Sequence, residues 1–221
     1  MKTNKAEILK ELPFEGVRAI HGVTYDGSSV WFAADEGDLF QVNPETGAIV
    51  SRTPDLGCRA GMTFDGRNLW VICGKEIRQL DPKTRSVLSR IPTPNAHVSG
   101  MAWHQGALFL GAYEEKKILK VDPATGRVLK TIPVNRFVTG VTFADGELWY
   151  GTLAEGDQPG GLYQVDERGQ EISSIPLREN EGISGIEYDT QRGAFWCGQH
   201  DLSRSNSSTN RRLRMVRKPA S

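Results

Sequence analysis

The chain has 221 residues, with 27 basic side chains against 27 acidic ones and a formal net charge of zero. That balance argues against nucleic acid or an anionic membrane as partner, and no apolar run approaches the roughly 18 residues that cross a bilayer. At 38% hydrophobic and 24% charged, the chain carries enough apolar mass for a packed core, read as one domain over residues 1–221.

In chain order the first predicted element is a strand over residues 7–13, Glu7-Ile8-Leu9-Lys10-Glu11-Leu12-Pro13. A repeat follows. His21-Gly22-Val23-Thr24-Tyr25 returns as Ala60-Gly61-Met62-Thr63-Phe64, Ser99-Gly100-Met101-Ala102-Trp103, Thr139-Gly140-Val141-Thr142-Phe143 and Ser184-Gly185-Ile186-Glu187-Tyr188. The glycines are 39, 39, 40 and 45 residues apart. Within each repeat a polar turn such as Asp26-Gly27 or Asp65-Gly66 leads to a second strand at Trp31, Trp70, Phe109, Trp149 or Trp196. A third strand keeps apolar residues three apart (Leu39/Val42, Ile77/Leu80, Ile118/Val121, Leu162/Val165, Leu213/Val216), and a fourth ends at a proline in the first four repeats. β-branched and aromatic runs cut by Gly, Pro and Asp turns are strands, and four strands per unit of about 40 residues define a propeller blade.

The chain is therefore expected to be all-β, a five-bladed β-propeller of four-stranded antiparallel blades. After Gly185 it holds only three strands, so the N-terminal strand 7–13 completes the last blade and closes the ring. The tryptophans fill the wedges between blades. The polar insertion from Gln199 to Asn210 reads as a mobile loop. Residues 202–221 carry six basic side chains and no acid, read as a basic edge docking on an acidic body.

In such a blade, residues just before the first strand and just after the second share one face of the disc. That places Arg18, His21, Asp35, Cys58, Arg59, Cys73, His97, Tyr113, Glu155 and His200 around one mouth of the central channel. Three of the four histidines fall there, and His104 sits on the opposite face. The catalytic candidates are His21, His97 or His200 as base, with Asp35 or Glu155 as partner. Arg18, Arg59, Cys58, Cys73 and Tyr113 are the ligand-binding candidates, an arginine holding an anionic group.

Three cysteines are an odd and small number, and the opening residues contain no apolar stretch of signal-peptide length, so a reducing, cytoplasmic location is expected. Opposing Phe64 to Leu69 across their turn makes Cys58 a diagonal neighbour of Cys73, outside easy disulfide range. Two thiols with His97 could hold a divalent metal, although no Cys-x-x-Cys spacing supports it, and small buried hydrophobes are the alternative reading. No cofactor is assigned.

The segments Glu7 to Pro13, His21 to Tyr25 and Glu45-Thr46-Gly47 resemble the plant and bacterial type of glutamine cyclotransferase, within a wider group of YncE-like and streptogramin-lyase-like propellers. The resemblance implies a five-bladed propeller closed by its N-terminal strand. It also puts the family's catalytic carboxylate within Trp31 to Asp35, where Phe32 or Ala33 stands in this chain. The functional expectation is a module binding a small molecule or peptide at the histidine-bearing mouth. A cyclotransferase-like or lyase-like enzyme at the same place and a protein-interaction scaffold are the alternatives.

Overall fold

The computed structural model describes residues 1–34, 37–94, 97–179, 181–201 and 211–220, the side chains of His200 and Asp201 excepted. Two strands, β1 (Lys2–Thr3) and β2 (Ile8–Phe14), precede the repeats. Blade I is β3 (Ile20–Tyr25), β4 (Val30–Ala34), β5 (Asp38–Val42) and β6 (Ile49–Thr53). Blade II is β7 (Met62–Phe64), β8 (Leu69–Cys73), β9 (Glu76–Leu80) and β10 (Val87–Pro92). Blade III is β11 (Val98–His104), β12 (Ala107–Ala112), β13 (Lys117–Val121) and β14 (Val128–Pro133). Blade IV is β15 (Gly140–Ala144), β16 (Glu147–Thr152), β17 (Gly161–Val165) and β18 (Glu171–Pro176), with β1 added parallel to β18. Blade V is β19 (Glu181–Asp189), β20 (Ala194–Asp201) and β21 (Arg211–Arg217), completed by β2. The five antiparallel blades form a β-propeller.

Local chemistry sets the hairpins. Asp26 Oδ1 accepts the backbone N–H groups of Ser28 and Ser29, and Asp65 Oδ1 those of Arg67 and Asn68. The second carboxylate oxygen of each accepts an indole N–H, from Trp31 and Trp70, at 2.7 Å. One aspartate thus fixes both the turn and the rotamer of the wedge residue. The three-residue spacing on the third strand has a packing reason. Leu39 faces the cluster shared with blade II, whereas Val42 faces the cluster shared with blade V, because both faces of every blade are buried.

Around the axis the innermost strands meet through glycine. A Cβ on Gly61 would lie 2.6 Å from backbone atoms of Gly100, one on Gly100 2.6 Å from Gly140, and one on Gly185 2.9 Å from Val23. Such separations leave no room for a side chain, so these positions keep a backbone-to-backbone approach. They also constrict the channel just below the mouth.

Strand β2 pairs antiparallel with β21, from Ile8 opposite Val216 to Phe14 opposite Arg211. The described basic residues at this edge are tied down. Arg212 and Arg214 pair with Glu11, Arg214 also with Glu181, Arg217 with Glu7, and Lys218 with Asp145 and Glu147, at 2.5 to 3.2 Å. Gln199 to Asp201, read as part of a loop, extend β20, while 202–210 lie outside the described residues. Leu12 is buried but Ile8 is 40% exposed, so closure rests on Leu12, Phe14 and the ladder. Deleting residues 1–12 should strip the partner from β21 and remove a buried leucine worth roughly 1.5–3 kcal/mol. Thermal melting and light scattering should show a less stable, associating protein; unchanged melting and solubility would contradict the closure.

Candidate functional site

At one end of the channel the residues that precede the five glycines come together, one from each blade: His21, Ala60, Ser99, Thr139 and Ser184. With Arg59, Val98, Tyr113 and Leu153 they line a depression of about 260 Å³, and the glycine constriction lies beneath it. Its walls are pinned by side-chain-to-backbone bonds. Ser99 Oγ donates to the carbonyl of Val138, Thr139 Oγ1 to that of Ile183, and Ser184 Oγ to that of Gly198. The first two cross from one blade to the next, so the hydroxyls are structural ties as well as lining.

Three groups there carry chemistry: the His21 imidazole, the Arg59 guanidinium and the Tyr113 phenol. Tyr113 stacks on Phe137 with ring centroids 4.8 Å apart, and Lys116 Nζ lies 4.4 Å over Phe137. Burial, with smaller contributions from Glu155 and Glu114, pushes the Tyr113 phenol up, so it remains an O–H donor at neutral pH. Arginine, imidazole and phenol donors around a floored depression suit a carboxylate or another small anion.

Other predicted site residues lie elsewhere. His97 is outside the lining, its Nδ1 3.8 Å from Glu114 Oε2. Glu155 is held by Lys116 at 3.2 Å. Arg18 is outside the lining, and its carbonyl accepts the Arg211 Nε–H at 2.5 Å. Asp35 and the His200 side chain fall outside the described residues.

The cysteine expectation is corrected. Cys58 and Cys73 form a disulfide, with Cα atoms 4.0 Å apart, and both are buried, so neither offers a thiol to a ligand or metal. The error lay in extending a regular ladder upstream. The β7–β8 ladder covers only Met62 to Phe64, and in blades I, III and V the register slips at the corresponding place. Upstream of Met62 the chain is therefore free of the ladder, and a regular register does not set the Cys58–Cys73 separation. A disulfide belongs to oxidising surroundings, so the cysteine count no longer argues for the cytoplasm. Cys197 is buried, and burial pushes its thiol up. Among the described residues no group of three or more His, Cys, Asp or Glu side chains is placed to hold a metal.

A residue that sequence reading passed over lies deeper in the channel. Glu187 occupies the position two after its glycine, where the other blades carry Thr24, Thr63, Ala102 and Thr142. Its carboxylate accepts hydroxyl donation from Thr24 at 2.8 Å and Thr142 at 2.7 Å, and the N–H of Tyr188 at 3.0 Å. Its carboxyl lies deep in the molecule, although the residue as a whole is only partly buried. Burial outweighs the three donors and pushes the carboxyl up to about 7. The signal was present in the repeat: an acid breaks a column of small residues.

Fold and mouth together define a five-bladed β-propeller with a polar depression to which every blade contributes. No protein-family model and no curated protein matches the chain. Among solved structures it is similar to Myxococcus xanthus glutaminyl cyclase, with a TM-score of 0.78 and 12% identity, covering 98% of this chain and 97% of that one. It is also similar to Kuenenia stuttgartiensis hydrazine synthase, with a TM-score of 0.54 and 12% identity, covering 83% of this chain and 56% of that one. At these identities the likeness is one of fold.

Glu187 makes stability depend on pH with a defined sign. Below about 4.5 the carboxyl is protonated in both states and costs nothing. Between about 4.5 and about 7 the unfolded chain loses the proton first, so stability falls as pH rises, and above that range the cost is constant. The full cost is on the order of 3 kcal/mol. Glu187→Gln should therefore leave stability near wild type at about pH 4.5 and raise it at about pH 8, read by denaturant unfolding at both. An equal effect at the two pH values would contradict the assignment.

Proposed function

We propose that the protein binds a small molecule or peptide at the mouth, seating a carboxylate of the ligand between Arg59, His21 and Tyr113. The observation that supports this is the convergence of all five blades on one floored depression whose charged member is a guanidinium. Arginine offers paired N–H donors matched to a carboxylate, and the Tyr113 O–H can add a third bond.

A second reading is glutaminyl-peptide cyclisation, favoured by the structural likeness to Myxococcus xanthus glutaminyl cyclase. That reaction needs a group to move protons between the amine and the leaving amide. Phe32 and Ala33, where the resemblance puts the carboxylate, are fully buried in β4. His21 would be the base available in the lining.

The dipeptide Gln-Ala and its C-terminal amide separate these readings. Calorimetry should show the acid form binding, with Arg59→Ala weakening it about tenfold and leaving the amide unchanged. Binding indifferent to Arg59→Ala, or none to either peptide, would sink the proposal. Ammonia release from Gln-Ala that His21→Ala abolishes would establish the enzyme instead.

A further inference from the structure

Blades I, II and IV share one cross-strand row; blade V keeps only its tryptophan, as Glu187–Trp196–Met215–Lys10, and blade III breaks the row at every place. The row runs Thr24–Trp31–Gln41–Ser51 in blade I, Thr63–Trp70–Gln79–Ser89 in blade II and Thr142–Trp149–Gln164–Ser173 in blade IV. In blade III the same row is Ala102–Phe109–Lys120–Lys130. The turn changes with it. Trp31, Trp70, Trp149 and Trp196 each donate the indole N–H to a turn or strand-end carboxylate, of Asp26, Asp65, Glu147 and Asp189. The corresponding turn of blade III is His104-Gln105-Gly106, with neither acid nor indole.

The consequence is a crevice of about 500 Å³ between blades III and IV, on the face away from the mouth. Phe109, Phe143, Leu148 and Val165 supply its apolar surface; Lys120 and Lys130 stand on its blade III side, and Glu147, Asp166 and Glu167 on its blade IV side, where Glu147 is paired with Lys218 and Asp166 accepts backbone N–H groups. Phe143 is already an aromatic platform, with His104 stacked on it at 3.8 Å and Phe109 edge-on at 4.7 Å. Burial, then the Lys120 charge, holds the imidazole of His104 below its ordinary range, so it stacks as a neutral ring. Lys130 is paired with Glu167 across the crevice at 3.1 Å. Lys120 lies 5.7 Å over the Phe109 ring, and among the described residues no carboxylate pairs with it.

We propose that this crevice binds a small aryl carboxylate, its ring lying against Phe109 and Phe143 where sister blades carry an indole, its carboxylate on Lys120. The substitutions in blade III match one another. The smaller ring of Phe109 leaves an apolar wall with Leu148 and Val165 on the crevice, and Lys in place of the neutral Gln of blades I, II and IV adds one cation beside it. Ring stacking and a charge-assisted bond at a partly desolvated site are the two interactions such a ligand uses.

The probe is 2-naphthoate, with 2-naphthalenemethanol as its neutral counterpart, titrated into the full chain by saturation-transfer NMR and calorimetry. Phe109→Trp restores the residue of the other blades and fills the crevice, so it should weaken both probes at least about tenfold with melting unchanged or raised. Lys120→Gln should weaken naphthoate about tenfold and leave the alcohol unchanged. Arg59→Ala, at the other face, removes any naphthoate seated at the mouth and should leave the crevice binding that Lys120→Gln and Phe109→Trp weaken. No naphthoate binding, binding that survives Phe109→Trp, or equal loss of acid and alcohol in Lys120→Gln would overturn the proposal.

Discussion

Five glycines packed backbone to backbone around the axis are the constraint on which the rest of this molecule depends. Gly22, Gly61, Gly100, Gly140 and Gly185 each lie so close to the next blade that a Cβ has no space. This close approach lets Ser99 and Thr139 reach carbonyls of the following blade, and Thr24 and Thr142 reach Glu187. Two polar positions lie on either side of these glycines in the repeat. Above the glycines is a shallow depression with arginine, imidazole and phenol; below them is a secluded carboxyl with no cation against it among the described residues.

The repeat acts as an internal standard, because five copies of one unit sit in nearly equivalent surroundings. A departure in one copy cannot be charged to the fold, since the other copies fold without it. Glu187 in a column of Thr and Ala is one such departure, costly when ionised. The Ala102–Phe109–Lys120–Lys130 row is another, with four positions and a turn changed together. Cys58 and Cys73 are a third, present in blade II alone and closing a loop of 15 residues between the entry to β7 and the end of β8. Departures of this kind mark where one copy of the repeat has been altered locally.

Blade number, strand order and closure by residues 7–13 were legible because they follow from period and turn chemistry, which a single sequence carries in full. The candidate mouth was legible more coarsely. His21, Arg59 and Tyr113 reach the depression, whereas His97 and Glu155 stand outside it, since loop direction decides their side chains and spacing does not record it. The disulfide was missed for a related reason: the ladder stops at Met62, so the path of residues 58–60 is not set by strand pairing, and nothing in the residue types announces it. Glu187 was visible as the one acid in a column of Thr and Ala. Reading each repeat column downward, rather than each blade along its length, would have exposed it.

If the glycine packing joins the blades as described, no blade can open without separating its neighbours. Native-state hydrogen exchange on the amides of β3, β7, β11, β15 and β19 measures this directly. The account predicts that the slowest amides of all five innermost strands exchange with one shared opening free energy that moves together as denaturant is added. Independent, lower-energy exchange of any one innermost strand would contradict it.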